Sequence, residues 1–343
     1  MKISTVATAT DHESVQLGED DSCGYRGIIA VHSTKLGPAV GGTRLWSYGS
    51  LEEALFDALR LSRGMTFKNA AAGLALGGGK SVILKPAGAF DREKLFRAHG
   101  RFVNSLGGRY ITAEDVGSSP ADMATIRRET PHAAGLLELS GDPSPVTAHG
   151  VFRSIQAAAL HRWGIAGLRG RTVALQGCGN VGYHLARELS ADGASLIVAD
   201  VNPLAVERLE RECNATAVDP RNIHAVSADI YAPCALGGVL NSGTIPELRC
   251  EIISGAANNQ LLEPADADRI EARGILYVPD FIANAGGVIN GTRELLGWAP
   301  ERALARVDAI YDTTLEIFRL ASGLGLTTAA AAERIALERL QGS

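Results

Sequence analysis

The stretch that most constrains this chain is an apolar run followed by closely spaced glycines. Arg171-Thr-Val-Ala-Leu-Gln176 reads as a strand, and Gly177-Cys178-Gly179-Asn180-Val181-Gly182 fits G-x-G-x-x-G. Val181 to Leu189 then carries apolar residues at helical spacing. In a chain with 39 glycines the bare pattern is common, so its strand–turn–helix context carries the argument. Gly177 permits a tight turn, Gly179 lets backbone approach a pyrophosphate, and Gly182 allows close helix–strand packing. The helix start offers free N–H groups and partial positive charge to phosphates. The next strand, Ser195 to Ala199, runs into Asp200, 18 residues beyond Gly182. A carboxylate there accepts hydrogen bonds from ribose hydroxyls and repels a 2′-phosphate. Val201-Asn-Pro203 adds no cation, which favours NAD over NADP.

A helix from Pro203 to Cys213 follows, and short apolar runs recur at Asp229 to Pro233, Glu251 to Ser254 and Ile275 to Pro279. These predict successive parallel strands of a doubly wound, Rossmann-type sheet. A chain of 343 residues exceeds one ordinary core and suits two domains. Upstream, strands at Gly27 to Ser33, Ser81 to Leu84 and Arg109 to Thr112 alternate with helical patterns at Leu51 to Arg63 and Arg92 to Leu106. That alternation predicts a second α/β layer. The turn-rich Gly141-Asp-Pro-Ser-Pro145 marks the boundary, ahead of a helix from Thr147 to Trp163. The expectation is an α/β chain of two domains separated by a cleft: a substrate domain over 1–140, joined by a C-terminal helix at about 322–343, and an NAD domain over 141–321. Two Ala-rich helices, Glu301 to Ala321 and Thr327 to Leu340, close the chain.

A second constellation lies in the first half. Gly64-Met-Thr-Phe-Lys68 is followed by Gly77-Gly-Gly-Lys80, which reads as a triple-glycine turn ending in lysine. A phosphate-binding P-loop requires glycine five residues before Gly79, where Leu74 stands, and a following helix, whereas Ser81 starts a strand. The alternative is a catalytic lysine. An amine partly removed from water beside another cation has a lowered pKa and can act as a base near neutrality. Lys68 could supply that charge while binding a substrate carboxylate, and Asp115 follows a strand end that could face the same cleft.

With these residues in hand, a resemblance is evident. Gly37-Pro-Ala-Val-Gly-Gly-Thr-Arg44, Arg63 to Gly73, Gly77 to Lys80, Tyr110 to Gly117, Ala232 to Gly237, Gly255-Ala-Ala-Asn-Asn-Gln260 and Asn284 to Asn290 closely resemble the leucine dehydrogenase family. That family sits in the superfamily of glutamate, leucine, phenylalanine and valine dehydrogenases, and the likeness spans nearly the whole chain. It implies reversible NAD-dependent oxidative deamination of an L-amino acid to an α-keto acid and ammonia. It also implies roles: Lys68 on the substrate carboxylate, Lys80 as the base that activates water, and Asp115 exchanging protons with the substrate nitrogen. Asn258 would help bind the carboxylate and lie by the cofactor with Ala256. Asn284 would lie by the nicotinamide, and Gly41 and Gly42 would let backbone close over the substrate. Where glutamate enzymes place a lysine and a serine, this chain has Val40 and Gly291, so a side-chain carboxylate would be buried unpaired, at a cost of several kcal/mol. Val40, Ala113, Val288 and Gly291 would instead form an apolar pocket. The expected substrate is leucine or a branched relative. The alternatives are an aromatic amino acid and a non-catalytic dinucleotide-sensing protein.

The remaining features mostly exclude. A net charge of −5 without a Lys/Arg run gives no footprint for nucleic acid or an anionic membrane. No apolar run approaches a membrane span, no signal-peptide core is visible, and the five cysteines are scattered, which predicts a cytoplasmic protein with reduced thiols. The histidines show no metal-ligand spacing. The resemblance implies a homo-oligomer.

Overall fold

The computed structural model describes residues 1–134, 141–293 and 295–342; the expected boundary at 140 falls outside them. The chain divides into two compact units, Met1–Gly141 with Gly291–Trp298 and Ala336–Ser343, and Asp142–Asn290 with Ala299–Ile335.

In the first unit the strands β1 (Lys2–Thr5), β2 (Ser14–Asp20), β3 (Tyr25–Ser33), β4 (Ala39–Trp46), β5 (Gly77–Leu84) and β6 (Tyr110–Glu114) form one mixed sheet. Its order is β1-β2-β3-β5-β4-β6, and β4 runs parallel to both neighbours. Helix α1 (Leu51–Ala71) starts at Ser50, whose side chain accepts the Glu53 N–H, with Glu52 and Glu53 in its positive first turn. Helix α2 (Arg92–Ser105) starts likewise at Asp91. Ala54 and Ala58 of α1 pack on Ile28, Ala30 and Val82, while Leu95, Phe96 and Phe102 of α2 join Ile29, Val31 and Ile83 in another core. Successive strand residues alternate between these faces.

Two sequence expectations change here. Gly77, Gly78 and Gly79 lie inside β5 rather than in a turn. A Cβ on Gly77 would sit 2.0 Å from Ser33 O, and one on Gly78 would sit 2.1 Å from Thr66 N of α1. Close packing of β5 against α1 and against the end of β3 excludes side chains there. Helix α1 also continues eight residues beyond Arg63, through Gly64, to Ala71.

In the second unit β7 (Thr172–Gln176), β8 (Ser195–Ala199), β9 (Thr216–Ala217), β10 (Ile230–Pro233), β11 (Ile252–Ile253) and β12 (Leu276–Tyr277) are all parallel, in the order β12-β11-β10-β7-β8-β9. Numbered from the first strand, this is the doubly wound order with its switch point between β7 and β10, as the apolar runs predict. Their mostly buried residues explain why the runs lack alternation. The helix expected over Glu301 to Ala321 is two, Pro300–Asp308 and Ile310–Leu324, meeting at Ala309.

Candidate active site

In the first unit the side-chain period of two sorts the chemistry by face. Lys80 follows Gly79 in β5 on the same face as Gly78 and Val82, the face that α1 covers. Lys80 is 5% exposed, and its Nζ lies 2.8 Å from Asp115 Oδ2, one residue past the end of β6. Burial pushes the Lys80 amine below its ordinary value, Asp115 pulls it back up, and the Arg44 guanidinium pushes it down again; the net shift is downward. For Asp115, burial acts upward, but Lys80 and then Arg44 outweigh it and hold the carboxyl below its ordinary value. The pair therefore joins an anion to an amine whose proton is loosened.

Arg44, inside β4, is the cation that the sequence leaves without a role. Its Nε donates to Asp115 Oδ2 at 2.9 Å and its Nη1 to Asp57 Oδ2 at 2.8 Å. Where the sequence offers Lys68 as the neighbouring charge, the structure supplies one from Arg44. Lys68 itself is half-buried near the end of α1. Among the described residues Asp115 Oδ1 has no hydrogen-bond partner, so both partners of this carboxylate sit on Oδ2.

Val40 is buried in β4, beside Gly41 and Gly42. A Cβ on Gly41 would lie 1.7 Å from Gly79 O, and one on Gly42 would lie 2.6 Å from Asp115 Cβ. These glycines thus have a reason within the sheet: β4 approaches β5 too closely for a side chain, and Gly42 leaves room for Asp115. Ala113 is half-buried in β6, paired in register with Gly42.

On the opposite face from Lys80, on the α2 side, Thr43 Oγ1 meets Ser81 Oγ at 2.8 Å, His99 Nε2 at 3.0 Å and the Thr112 hydroxyl. His99 Nδ1 meets Tyr25 OH at 2.8 Å, and Tyr110 OH donates to Gly41 O at 2.6 Å. Three adjacent parallel strands are therefore tied together by buried hydroxyls.

In the second unit the fingerprint has the geometry its glycines predict. Gly177 has φ +98°, a Cβ on Gly182 would be 2.0 Å from Gly177 O, and a Cβ on Gly179 would meet nothing within 4 Å. Helix Asn180–Ala191 begins at Gly179, so Asn180 and Val181 occupy its first turn. The first and third glycines are needed by the turn itself, while the second leaves open space over a helix N-terminus. Asp200 accepts the Cys178 N–H at 2.6 Å through Oδ2 and the Asn202 N–H at 2.8 Å through Oδ1.

Asn284 stands between helices Asp280–Ala283 and Ala285–Thr292. Its Nδ2 donates to Ala256 O at 3.1 Å and to Asn258 Oδ1 at 2.9 Å; the carbonyl partner fixes the orientation of the amide. Its Oδ1 is buried without a partner among the described residues, an acceptor poised for a donor from outside the chain. The open ground at Gly179 and this unmet acceptor both fit a dinucleotide. Val288 and Gly291 lie on helix Ala285–Thr292, each half-buried. Among the described residues no cluster of three or more His, Cys, Asp or Glu could hold a metal.

Family models for the Glu/Leu/Phe/Val dehydrogenase dimerisation domain and for Glutamate/Leucine/Phenylalanine/Valine dehydrogenase match residues 11–132 and 202–339. The leucine dehydrogenase of Geobacillus stearothermophilus is 52% identical over 334 residues, covering 96% of this chain and 91% of its own length. The chain belongs to the Glu/Leu/Phe/Val dehydrogenase family. Other members are similarly near. The valine dehydrogenase of Streptomyces coelicolor is 48% identical, covering 96% of this chain and 92% of its own. The crystal structure of L-tryptophan dehydrogenase from Nostoc punctiforme aligns with a TM-score of 0.87 at 46% identity, over 97% of this chain and 96% of that one. This chain is thus an amino acid dehydrogenase, which excludes the non-catalytic reading. Arg44, Asp57 and Tyr48 are the members of this dehydrogenase's charged cluster that sequence reasoning misses; their partners are 71, 13 and 9 residues away along the chain.

Proposed function

We propose that the chain catalyses the reversible NAD-dependent oxidative deamination of leucine or a close branched-chain relative, giving the α-keto acid and ammonia. The observation that carries the reading is the buried Lys80 held 2.8 Å from Asp115, with the amine's proton loosened and the carboxylate kept ionised. In this reading Lys68 and Asn258 hold the substrate carboxylate. Neutral Lys80 takes a proton from the water that attacks the substrate iminium carbon, and Asp115 exchanges a proton with the substrate nitrogen through its free Oδ1. The Gly177–Gly182 turn and the helix start behind it would hold the pyrophosphate of NAD, Asp200 the ribose, and Ala256, Asn258 and Asn284 the nicotinamide end. NAD, when bound, accepts the hydride from the amino acid Cα. The first unit would carry the substrate and the second the dinucleotide.

Val40, Ala113, Val288 and Gly291 would form the side-chain pocket. Leucine is supported by the 52% identity to a leucine dehydrogenase and by the absence of a cation at Val40 to pair with a glutamate side chain. An aromatic substrate is the second reading, favoured by one observation: a Cβ at Gly291 would meet nothing within 4 Å, leaving space for a larger ring. A homo-oligomer is supported by the dimerisation-domain match over residues 11–132 and by the exposed edge strand β1. Five free thiols suit a reducing, cytoplasmic compartment.

The test is a side-by-side measurement of kcat/KM for leucine, valine, isoleucine, phenylalanine and tryptophan with NAD at alkaline pH. Leucine should exceed phenylalanine by about tenfold or more, the scale on which an apolar pocket discriminates. Phenylalanine or tryptophan in the lead would establish the second reading instead.

A further inference from the structure

The carboxylate of Asp115 has two cationic partners, and the second is itself held at its far edge. Arg44 donates through Nε to Asp115 Oδ2 at 2.9 Å and through Nη1 to Asp57 Oδ2 at 2.8 Å. Tyr48 OH donates to the same Asp57 oxygen at 2.8 Å, and Arg60 Nη2 lies 3.4 Å from Asp57 Oδ1. Lys80, Asp115, Arg44 and Asp57 therefore make one continuous chain of alternating charge, drawn from β5, the end of β6, β4 and α1. The Arg44 and Asp57 side chains are only 20% and 16% exposed, so water screens their contacts weakly. A guanidinium is planar and rigid, and two carboxylates on different edges fix its orientation as they could not fix an ammonium.

We propose that Arg44, clamped by Asp57, is a positioning residue of the dehydrogenase: it pins one oxygen of Asp115 against Lys80, so that the other is the oxygen offered to the substrate nitrogen. The inference rests on the roles given above to Lys80 and Asp115. Both sides of the clamp also act on the proton of Lys80. The positive charge of Arg44 pushes the amine down and the negative charge of Asp57 pushes it up. The other charged or titratable groups that the structure places around this chain of charges are Tyr48 and Arg60 at Asp57, and Glu114 next to Asp115. None of them has the geometry of Arg44, which touches both carboxylates.

The experiment measures kcat and KM across pH for the full-length Arg44→Gln, Arg44→Lys, Asp57→Asn and Tyr48→Phe proteins, using NAD and the best amino acid from the substrate comparison. Lys80→Ala is the control. Arg44→Gln should lose about 100-fold in kcat, the scale of an ångström of misplacement, with KM for the amino acid within about threefold. Its acid limb should move to higher pH, because a charge that lowers Lys80 is gone. Asp57→Asn should lose about tenfold, with its acid limb moved to lower pH. Arg44→Lys should recover part of the rate and return the limb towards wild type, and Tyr48→Phe should cost a few-fold. If Arg44→Gln fails to fold by circular dichroism, Asp57→Asn and Tyr48→Phe carry the test. An active Lys80→Ala protein would overturn the reading of the pair and the inference with it. An inactive Lys80→Ala protein beside Arg44 and Asp57 variants with unchanged rates and limbs, or with limbs moving the same way, would overturn the positioning role alone.

Discussion

The two units prepare for chemistry in opposite ways. The first places charged side chains on one face of a mixed sheet, buries them, and balances each against the next: Lys80, Asp115, Arg44, Asp57. The second offers backbone and open space: a turn at positive φ, a helix N-terminus, and a glycine whose missing side chain leaves room. Preorganised charge suits a step in which protons move, because it needs no rearrangement as the reaction proceeds. Preorganised backbone suits recognition of a cofactor that must enter and leave unchanged in its phosphates. The glycines of the two units therefore do different work. Those of β4 and β5 are filled around by neighbouring atoms, whereas Gly179 faces nothing.

That contrast can be broken by experiment. The largest effect should come from Gly78→Ala, whose Cβ would lie 2.1 Å from Thr66 N, set against Gly179→Ala, whose Cβ is unobstructed. Gly78→Ala should lose about 3 kcal/mol of stability or more, because the backbone of α1 at Thr66 must move away from β5. Gly179→Ala should stay within about 1 kcal/mol in chemical denaturation while raising KM for NAD about tenfold. Equal destabilisation of the two would erase the distinction.

A second effect sits on the α2 side of the first sheet. Burial pushes His99 down from an ordinary 6.5 to about 3, so it stays neutral in the folded chain. The unfolded chain takes up a proton below pH 6.5 and the folded one does not. Stability should therefore fall, by about 1.4 kcal/mol per pH unit, as pH drops from 6.5 towards 3. In urea titrations His99→Gln should show a pH slope shallower by that amount. An unchanged slope would mean that His99 is charged when folded. The smallest effect concerns Asp200. Replacing it with Ser together with Val201→Arg should lower the preference for NAD over NADP by about tenfold, as a like-charge repulsion is exchanged for an attraction. Persistence of full NAD preference would remove Asp200 from the ribose.

The two units also differ in how much their sequences reveal. The strands of the second unit are short, largely buried apolar runs closed by turn residues, and strands at Ser195 to Ala199 and a helix at Pro203 to Cys213 can be placed to the residue. In the first unit β1 is exposed throughout and β2 alternates weakly, so neither carries a pattern. Gly41, Gly42 and Gly77 to Gly79 disguise β4 and the start of β5 as loop, because glycine reads as a breaker until its neighbours are known. Gly64 similarly hides the last turns of α1. Lys80, Asp115 and the fingerprint can be picked out because local motifs surround them. Arg44 cannot, since its meaning lies in partners that only the sheet brings near.

The hydroxyl knot of Thr43, Ser81 and Thr112 has a consequence for strand alignment. Thr43 precedes Arg44 and Ser81 follows Lys80, so each hydroxyl faces away from the cation beside it. A slip of β4 by one residue would thrust a guanidinium into a space sized for a hydroxyl. Strand alignment is thus secured from the rear, independently of whatever lines the front. In the proposed function Val40 and Ala113 line that front, so a change in their size would leave the strand alignment behind Lys80 and Asp115 in place.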